Sequence, residues 1–129
     1  MRIGALEGGG TKMVLAVCNE NGEVLDRVSI PTETPEITMP KMIAYFKEQQ
    51  VEIGFFGPVI LNEQSPKYGC VGNTPKLAWK WYPVLDEFKK ALQIPVGFDT
   101  DVNAAALGEA TWGITKGLKN SIYITVGTG

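Results

Sequence analysis

Three consecutive glycines, Gly8-Gly9-Gly10, followed by Thr11-Lys12, stand between two short apolar runs over residues 2–6 and 13–18. This arrangement narrows the accessible folds more than any other feature of the chain. Glycines suit a tight reversal and let backbone N–H groups approach an anion, while Lys12 adds a compact positive charge beside them. The GxxxxGK spacing of a Walker A loop is absent, and the next residues, Met13-Val14-Leu15-Ala16-Val17, are strand-like rather than helical. The dinucleotide-binding fingerprint is not matched either. Two readings stay open: a phosphate cradle between two strands, or a hairpin whose glycines serve backbone geometry alone.

A third run, residues 23–30, alternates apolar with polar and comes after Asn19-Glu20-Asn21-Gly22, whose Asn-Gly pair marks a tight turn. Residues 2–30 therefore read as a three-stranded antiparallel meander. Beyond it the period changes. Residues 31–35 are loop-like, and Pro40 suits an early position of a helix with Met42, Ile43 and Phe46 on one face, ending near Gln50. Residues 51–56 suit a strand broken by Gly57-Pro58. Residues 62–80 are rich in Gly, Pro, Asn and Ser, a long loop of the kind that often carries a ligand site. Helical spacing over 82–92, a short strand over 95–98, a helix over 102–112 and a β-branched strand over 121–126 complete the order βββαβαβαβ. The opening βββαβαβ is that of an α/β mixed sheet covered by helices, the ribonuclease-H-like half of the actin-like ATPase architecture; a doubly wound nucleotide fold is the rival.

At 129 residues and 44% apolar content the chain has the size of one domain. Gly127-Thr128-Gly129 comes after a strand-like segment and reads as the start of a phosphate-binding hairpin. The expectation is an amino-terminal lobe, residues 1–129, whose carboxy-terminal lobe is absent from this sequence. A net charge of -2, with acids and bases interspersed, leaves no basic stripe to track a nucleic acid. Cys18 and Cys70 form no CxxC pair and histidine is missing, so neither a zinc site nor a disulfide framework is indicated, and a reducing cytoplasm fits. No apolar run approaches the ~20 residues of a membrane span, and Met1-Arg2 leads directly into a strand-like segment rather than a secretory leader.

The second chemical candidate is Phe98-Asp99-Thr100-Asp101-Val102-Asn103, where a short strand ends and a helix begins. An Asp there can accept a proton from an alcohol while neighbouring Thr and Asn side chains hold other hydroxyls. One of Asp99, Thr100 and Asp101 can equally be the helix N-cap alone, and the two roles can be divided between neighbours. Trp79, Trp81, Tyr82 and Phe88 suit either stacking on a sugar or plain packing. Glu109 can support the helix or solvate its face, and Lys116 and Lys119 need no function.

Together these segments resemble the ROK family of sugar kinases and related regulators, particularly its bacterial fructokinase branch. The residues 4–12, Gly-Ala-Leu-Glu-Gly-Gly-Gly-Thr-Lys, are similar to its first phosphate motif. Phe56-Gly57-Pro58-Val59, and Asn73-Thr74-Pro75-Lys76 with Trp79, are similar to loops of the fructokinase branch; residues 96–109 resemble the catalytic segment and 122–129 the start of the second phosphate motif. The resemblance implies that Asp101 is the general base, taking a proton from a sugar hydroxyl, O6 of fructose, as that oxygen attacks the γ-phosphorus of ATP. It implies that Glu7, where the family commonly has Asp, orients Mg2+ through water. Gly9, Gly10, Thr11 and Lys12 would line the phosphates, with Gly127, Thr128 and Gly129 on their far side. Thr100, Asn103, Gly57, Pro58 and Thr74 would face the sugar. Thr100 stands where many members have Asn, Ile60 replaces a commonly acidic residue, and the segment 51–56 is shorter than its counterpart. The family's structural zinc ligands belong to segments that would come after Gly129. Sugar and ATP are the implied partners, with a homodimer as a form that members often take and no nucleic acid or membrane. The alternative is a sugar- or nucleotide-binding module, or a family regulator without kinase activity; regulators carry a winged helix-turn-helix ahead of the kinase-like part, for which Glu7 so near the start leaves no room.

Overall fold

The structure, a computed structural model, describes residues 2–49, 52–56, 58–122 and 124. Its frame is one five-stranded sheet built from β1 (Arg2–Gly8), β2 (Lys12–Asn19), β3 (Val24–Pro31), β4 (Glu52–Phe56) and β5 (Val96–Asp99), in the order β3-β2-β1-β4-β5. The predicted meander is present: β1 with β2 and β2 with β3 pair antiparallel, and β4 and β5 then add in parallel beside β1. Gly22, at φ 81°, makes the second reversal, and the Asn19 side chain accepts the N–H groups of Asn21 and Glu23 at 3.0 Å each. The mixed sheet, with βββαβα connectivity, is the expected ribonuclease-H-like arrangement.

Helix α1 (Pro35–Gln49) begins at Pro35, which the sequence places at the end of a loop, so Pro40, expected as an early residue, is its sixth. Pro35 is a better first residue, since a proline there sacrifices an N–H that has no intrahelical partner anyway. Thr34 carbonyl accepts Thr38 N–H at 2.9 Å to open the helix. Pro40 instead lies inside, where the bond it forfeits is to Glu36; both residues are exposed, so water can replace it. Helix α2 (Val84–Leu92) starts two residues later than predicted because Tyr82 is committed to the loop, accepting Val71 N–H at 2.8 Å and donating to Trp79 carbonyl at 3.0 Å. Gln93, left-handed at φ 53°, closes it.

The core lies between one sheet face and these two helices. Leu6, Leu15 and Val17 from β1 and β2 meet Met39, Met42 and Phe46 of α1 and Val84 and Phe88 of α2. Phe46 and Phe88 are both fully buried and meet edge to face, 6.5 Å between centroids. Helix α3 (Asp101–Trp112) comes after β5, and the stretch beyond it is irregular with Ile114, Leu118 and Ile122 exposed. Of the strand predicted over 121–126, Ser121, Ile122 and Ile124 are outside any ladder; the other residues lie outside the described set. Among the described residues no helix is long and apolar enough to cross a membrane.

Candidate functional site

The parallel register fixes where the chemically interesting segments stand. Glu7 of β1 is opposite Phe56 of β4, and Phe56 is opposite Asp99 of β5. Three strands thus end level, and their continuations, the glycine hairpin, the Pro58 loop and the start of α3, emerge along one edge of the sheet. With adjacent strands ~4.8 Å apart, the β1 and β5 ends are separated by roughly 10 Å. Carboxyl edges of parallel strands are habitual ligand sites, because loops there can converge without disturbing the ladder.

The glycine hairpin is held by three hydrogen bonds. Gly9 N–H donates to Lys12 carbonyl at 3.1 Å and closes the reversal. A Cβ at Gly9 would stand 2.6 Å from that same oxygen, so the turn excludes a side chain; Gly10 faces open space. From outside, Thr32 N–H reaches Thr11 carbonyl at 2.9 Å and the Thr32 hydroxyl reaches Gly9 carbonyl at 2.7 Å. Thr11 and Lys12 are exposed, and so is Glu7, one residue before the loop begins.

Gly9 and Gly10 share a small pocket with Pro58, Thr74, Lys76 and Trp79, floored by Met13 and Val71. Two sequence-distant loops are therefore brought against the hairpin. The long loop is far from slack. Val59 and Val71 form an antiparallel bridge, Gly72 N–H donates to Pro58 carbonyl at 2.6 Å, and Trp81 N–H donates to Val71 carbonyl at 3.0 Å. The Trp79 indole N–H donates to Glu33 carbonyl at 2.6 Å, which assigns Trp79 to packing and bracing rather than to an open stacking face. Phe88 is core, and Trp81 is half-exposed beneath the Lys67 ammonium, 3.6 Å from its ring centroid.

At the β5 end the hydrogen bonds are short-range. Thr100 is the N-cap of α3, its hydroxyl accepting Asn103 N–H at 3.2 Å. Asp99 Oδ1 accepts both Thr100 N–H and Asn103 Nδ2, each at 2.7 Å. Of the three candidate caps, Asp99, Thr100 and Asp101, the structure assigns the N-cap to Thr100, with Asp101 the first residue of α3. Glu109 accepts Ile114 N–H at 3.0 Å and so stabilises the end of the same helix. Thr100 and Asn103 do not line the hairpin pocket; they flank it two strands away. Gly57, Gly127, Thr128 and Gly129 lie outside the described residues.

Sequence reasoning alone passes over Thr32. It stands in a loop after Pro31 with no motif around it, and only the pairing of β2 with β3, Lys12 opposite Pro31, carries it to the hairpin. As for ions, Glu7 presents an exposed oxygen donor of the kind Mg2+ accepts. Among the described residues no group of three or more His, Cys, Asp or Glu could cage a metal, and Mg2+ that keeps most of its water needs no such cage. Zinc does not fit: the two thiols, Cys18 on β2 and Cys70 in the long loop, are both free, and burial raises the Cys70 pKa above its ordinary value, with Asp86 adding to the rise.

Comparison with known proteins places this architecture. The ROK family model matches residues 3–129. A fructokinase of Pediococcus pentosaceus is 48% identical over 132 residues, covering 100% of this chain and 46% of that protein, and one of Zymomonas mobilis is 44% identical over 135 residues, covering 98% and 45%. The chain therefore spans a little under half the length of these relatives. Among solved structures, a ROK family glucokinase from Streptomyces griseus, in complex with glucose and AMPPNP, superposes with a TM-score of 0.71 at 28% identity, over 91% of this chain and 38% of that one. The meander, the level strand ends and the glycine hairpin are accordingly those of an actin-like sugar-kinase fold, and the chain belongs to the ROK family.

Proposed function

We propose that residues 1–129 are the amino-terminal lobe of an ATP-dependent hexose kinase that converts fructose to fructose 6-phosphate. The observation that carries the reading is the level alignment of Glu7, Phe56 and Asp99, which sets the hairpin, the Pro58 loop and the α3 start along one edge. The kinase names of the relatives, and a glucose and nucleotide-analogue complex in a structural neighbour, support it.

In this reading the hairpin takes the phosphates of ATP. Gly9 N–H is already given to Lys12, so Gly9 shapes the turn, leaving phosphate contact to Gly10, Thr11 and the Lys12 ammonium, with Gly127 to Gly129 beyond them. Asp101, leading α3, is the general base: it takes the proton of the attacking hydroxyl as the oxygen–phosphorus bond forms and ADP departs. Asn103, oriented by the bond from one of its Nδ2 hydrogens to Asp99, contacts a sugar hydroxyl, with Thr100, Gly57, Pro58 and Thr74 completing the sugar side. Glu7 would hold Mg2+ through water; when bound, the ion offsets the charge that gathers on the transferring phosphoryl group.

The test is a coupled assay for hexose 6-phosphate with the full-length protein, Mg-ATP and fructose, mannose or glucose, beside calorimetry of residues 1–129 alone. Fructose should give the highest kcat/KM. The isolated lobe should bind weakly without turnover, because water exclusion needs both walls of the cleft. Sugar binding by the full-length protein with no phosphorylation of any hexose would favour the binding-module or regulator reading instead.

A further inference from the structure

Residues 32–33, between β3 and α1, are braced from every direction. Thr32 is 7% exposed; its N–H holds Thr11 carbonyl at 2.9 Å and its hydroxyl holds Gly9 carbonyl at 2.7 Å. On the next residue, Glu33 N–H donates to Thr38 Oγ1 at 3.0 Å in the first turn of α1, and Glu33 carbonyl receives the Trp79 indole at 2.6 Å. Trp79 is itself 4% exposed and stands in the pocket wall with Thr74 and Lys76. This dipeptide therefore fastens the hairpin to the loop opposite it.

A hydroxyl at this position does something that a methyl group of the same size does not. The peptide between Gly9 and Gly10 is planar and trans, so its C=O and N–H point in opposite directions. Anchoring the Gly9 oxygen on Thr32 turns the Gly10 N–H away from Thr32, at a residue that is exposed and whose Cβ position is open. Gly10 has no side chain to hold its own peptide in place, and without Thr32 the Gly9–Gly10 unit is free to flip at little steric cost.

We infer that Thr32 is a positioning residue for nucleotide binding, fixing the Gly9–Gly10 peptide so that its N–H is presented to a phosphate oxygen; the inference rests on the kinase reading above. Two variants of the full-length protein separate this from a packing role. Thr32→Val keeps the shape and the main-chain bond to Thr11 but loses the hydroxyl; Thr32→Ser keeps the hydroxyl and loses the methyl. In Thr32→Val, KM for ATP should rise roughly tenfold, equivalent to about 1.4 kcal/mol, with KM for the sugar unchanged. Thr32→Ser should restore it. An unchanged KM for ATP in Thr32→Val overturns the inference, and so does an equal rise in both KM values with a lowered melting temperature, the mark of a merely structural residue. Amide exchange of residues 8–12 reads the positioning without activity: Thr32→Val should speed it, and unaltered exchange overturns the inference whatever the kinetics. Absence of sugar phosphorylation in the unaltered protein would sink the kinase reading, while the exchange result would still decide whether Thr32 holds the hairpin.

Discussion

The glycine hairpin and the Asp99–Asn103 segment stand level on the same sheet edge, yet they are held in opposite ways. The hairpin depends on distant residues: Thr32 lies 23 positions from Gly9, and the Trp79 to Glu33 bond that braces it spans 46. At the β5 end, among the described side chains, the bonds of Asp99, Thr100 and Asn103 join residues one to four apart. One region is shaped by tertiary packing and the other by local capping. The first should therefore fail when far-off residues change, and the second only when its own residues do.

The largest effect should come from the locally built side. In the full-length protein, Asp101→Asn keeps a residue that tolerates a helix start but removes the proposed proton acceptor, and kcat should fall by about 10²–10⁴ with both KM values little changed. A loss of less than threefold in the coupled assay would remove Asp101 from the proposed base role.

The hairpin side is next. Gly9→Ala puts a Cβ 2.6 Å from Lys12 carbonyl and must open the turn, whereas Gly10→Ala meets nothing within 4 Å. KM for ATP should rise by roughly tenfold or more in the first, as expected for about 1.4 kcal/mol or more of lost fit, and far less in the second. Equal effects would mean that the bonding of the reversal does not set phosphate affinity. A third, smaller effect reaches the hairpin from afar. Trp79→Phe keeps a buried ring but orphans Glu33 carbonyl, which should cost about 1–3 kcal/mol in a denaturant titration. A stability loss under ~0.5 kcal/mol would show that water replaces the indole there.

This division also explains how much is legible in the sequence. The meander, the Asn19–Gly22 turn and the α3 start can be read because each is written in neighbouring residues: apolar alternation, an Asn-Gly pair, an Asp-Thr-Asp run before an Ala-rich helix. Thr32 cannot, since nothing near it in sequence distinguishes it from any loop threonine; the strand register alone brings it to Gly9. Sequence reasoning assigns Pro35 to the loop rather than to α1 for a related reason. Pro35 and Pro40 are equally good local signals, and the choice falls to Pro35 because Thr38, Met39 and Met42 are buried against the sheet, which requires the helix to begin earlier. Trp79 carries an ambiguous signal, and its bond to Glu33 resolves it.

The smallest effect bears on Thr100, the N-cap of α3, which is also one of the proposed sugar contacts. Thr100→Ala removes the acceptor of Asn103 N–H and should lower stability by about 1 kcal/mol, a typical N-cap loss. Thr100→Asn is the sharper experiment, because Asn caps as well as Thr does and supplies a longer, forked polar group. Its stability should match the unaltered protein, so any change in kcat/KM between fructose and glucose can be charged to the sugar contact and not to the helix. If Thr100→Asn leaves both stability and sugar preference untouched while Thr100→Ala loses only stability, Thr100 is a cap and nothing more, and discrimination on this edge passes to Asn103, whose bond to Asp99 uses one of its two Nδ2 hydrogens.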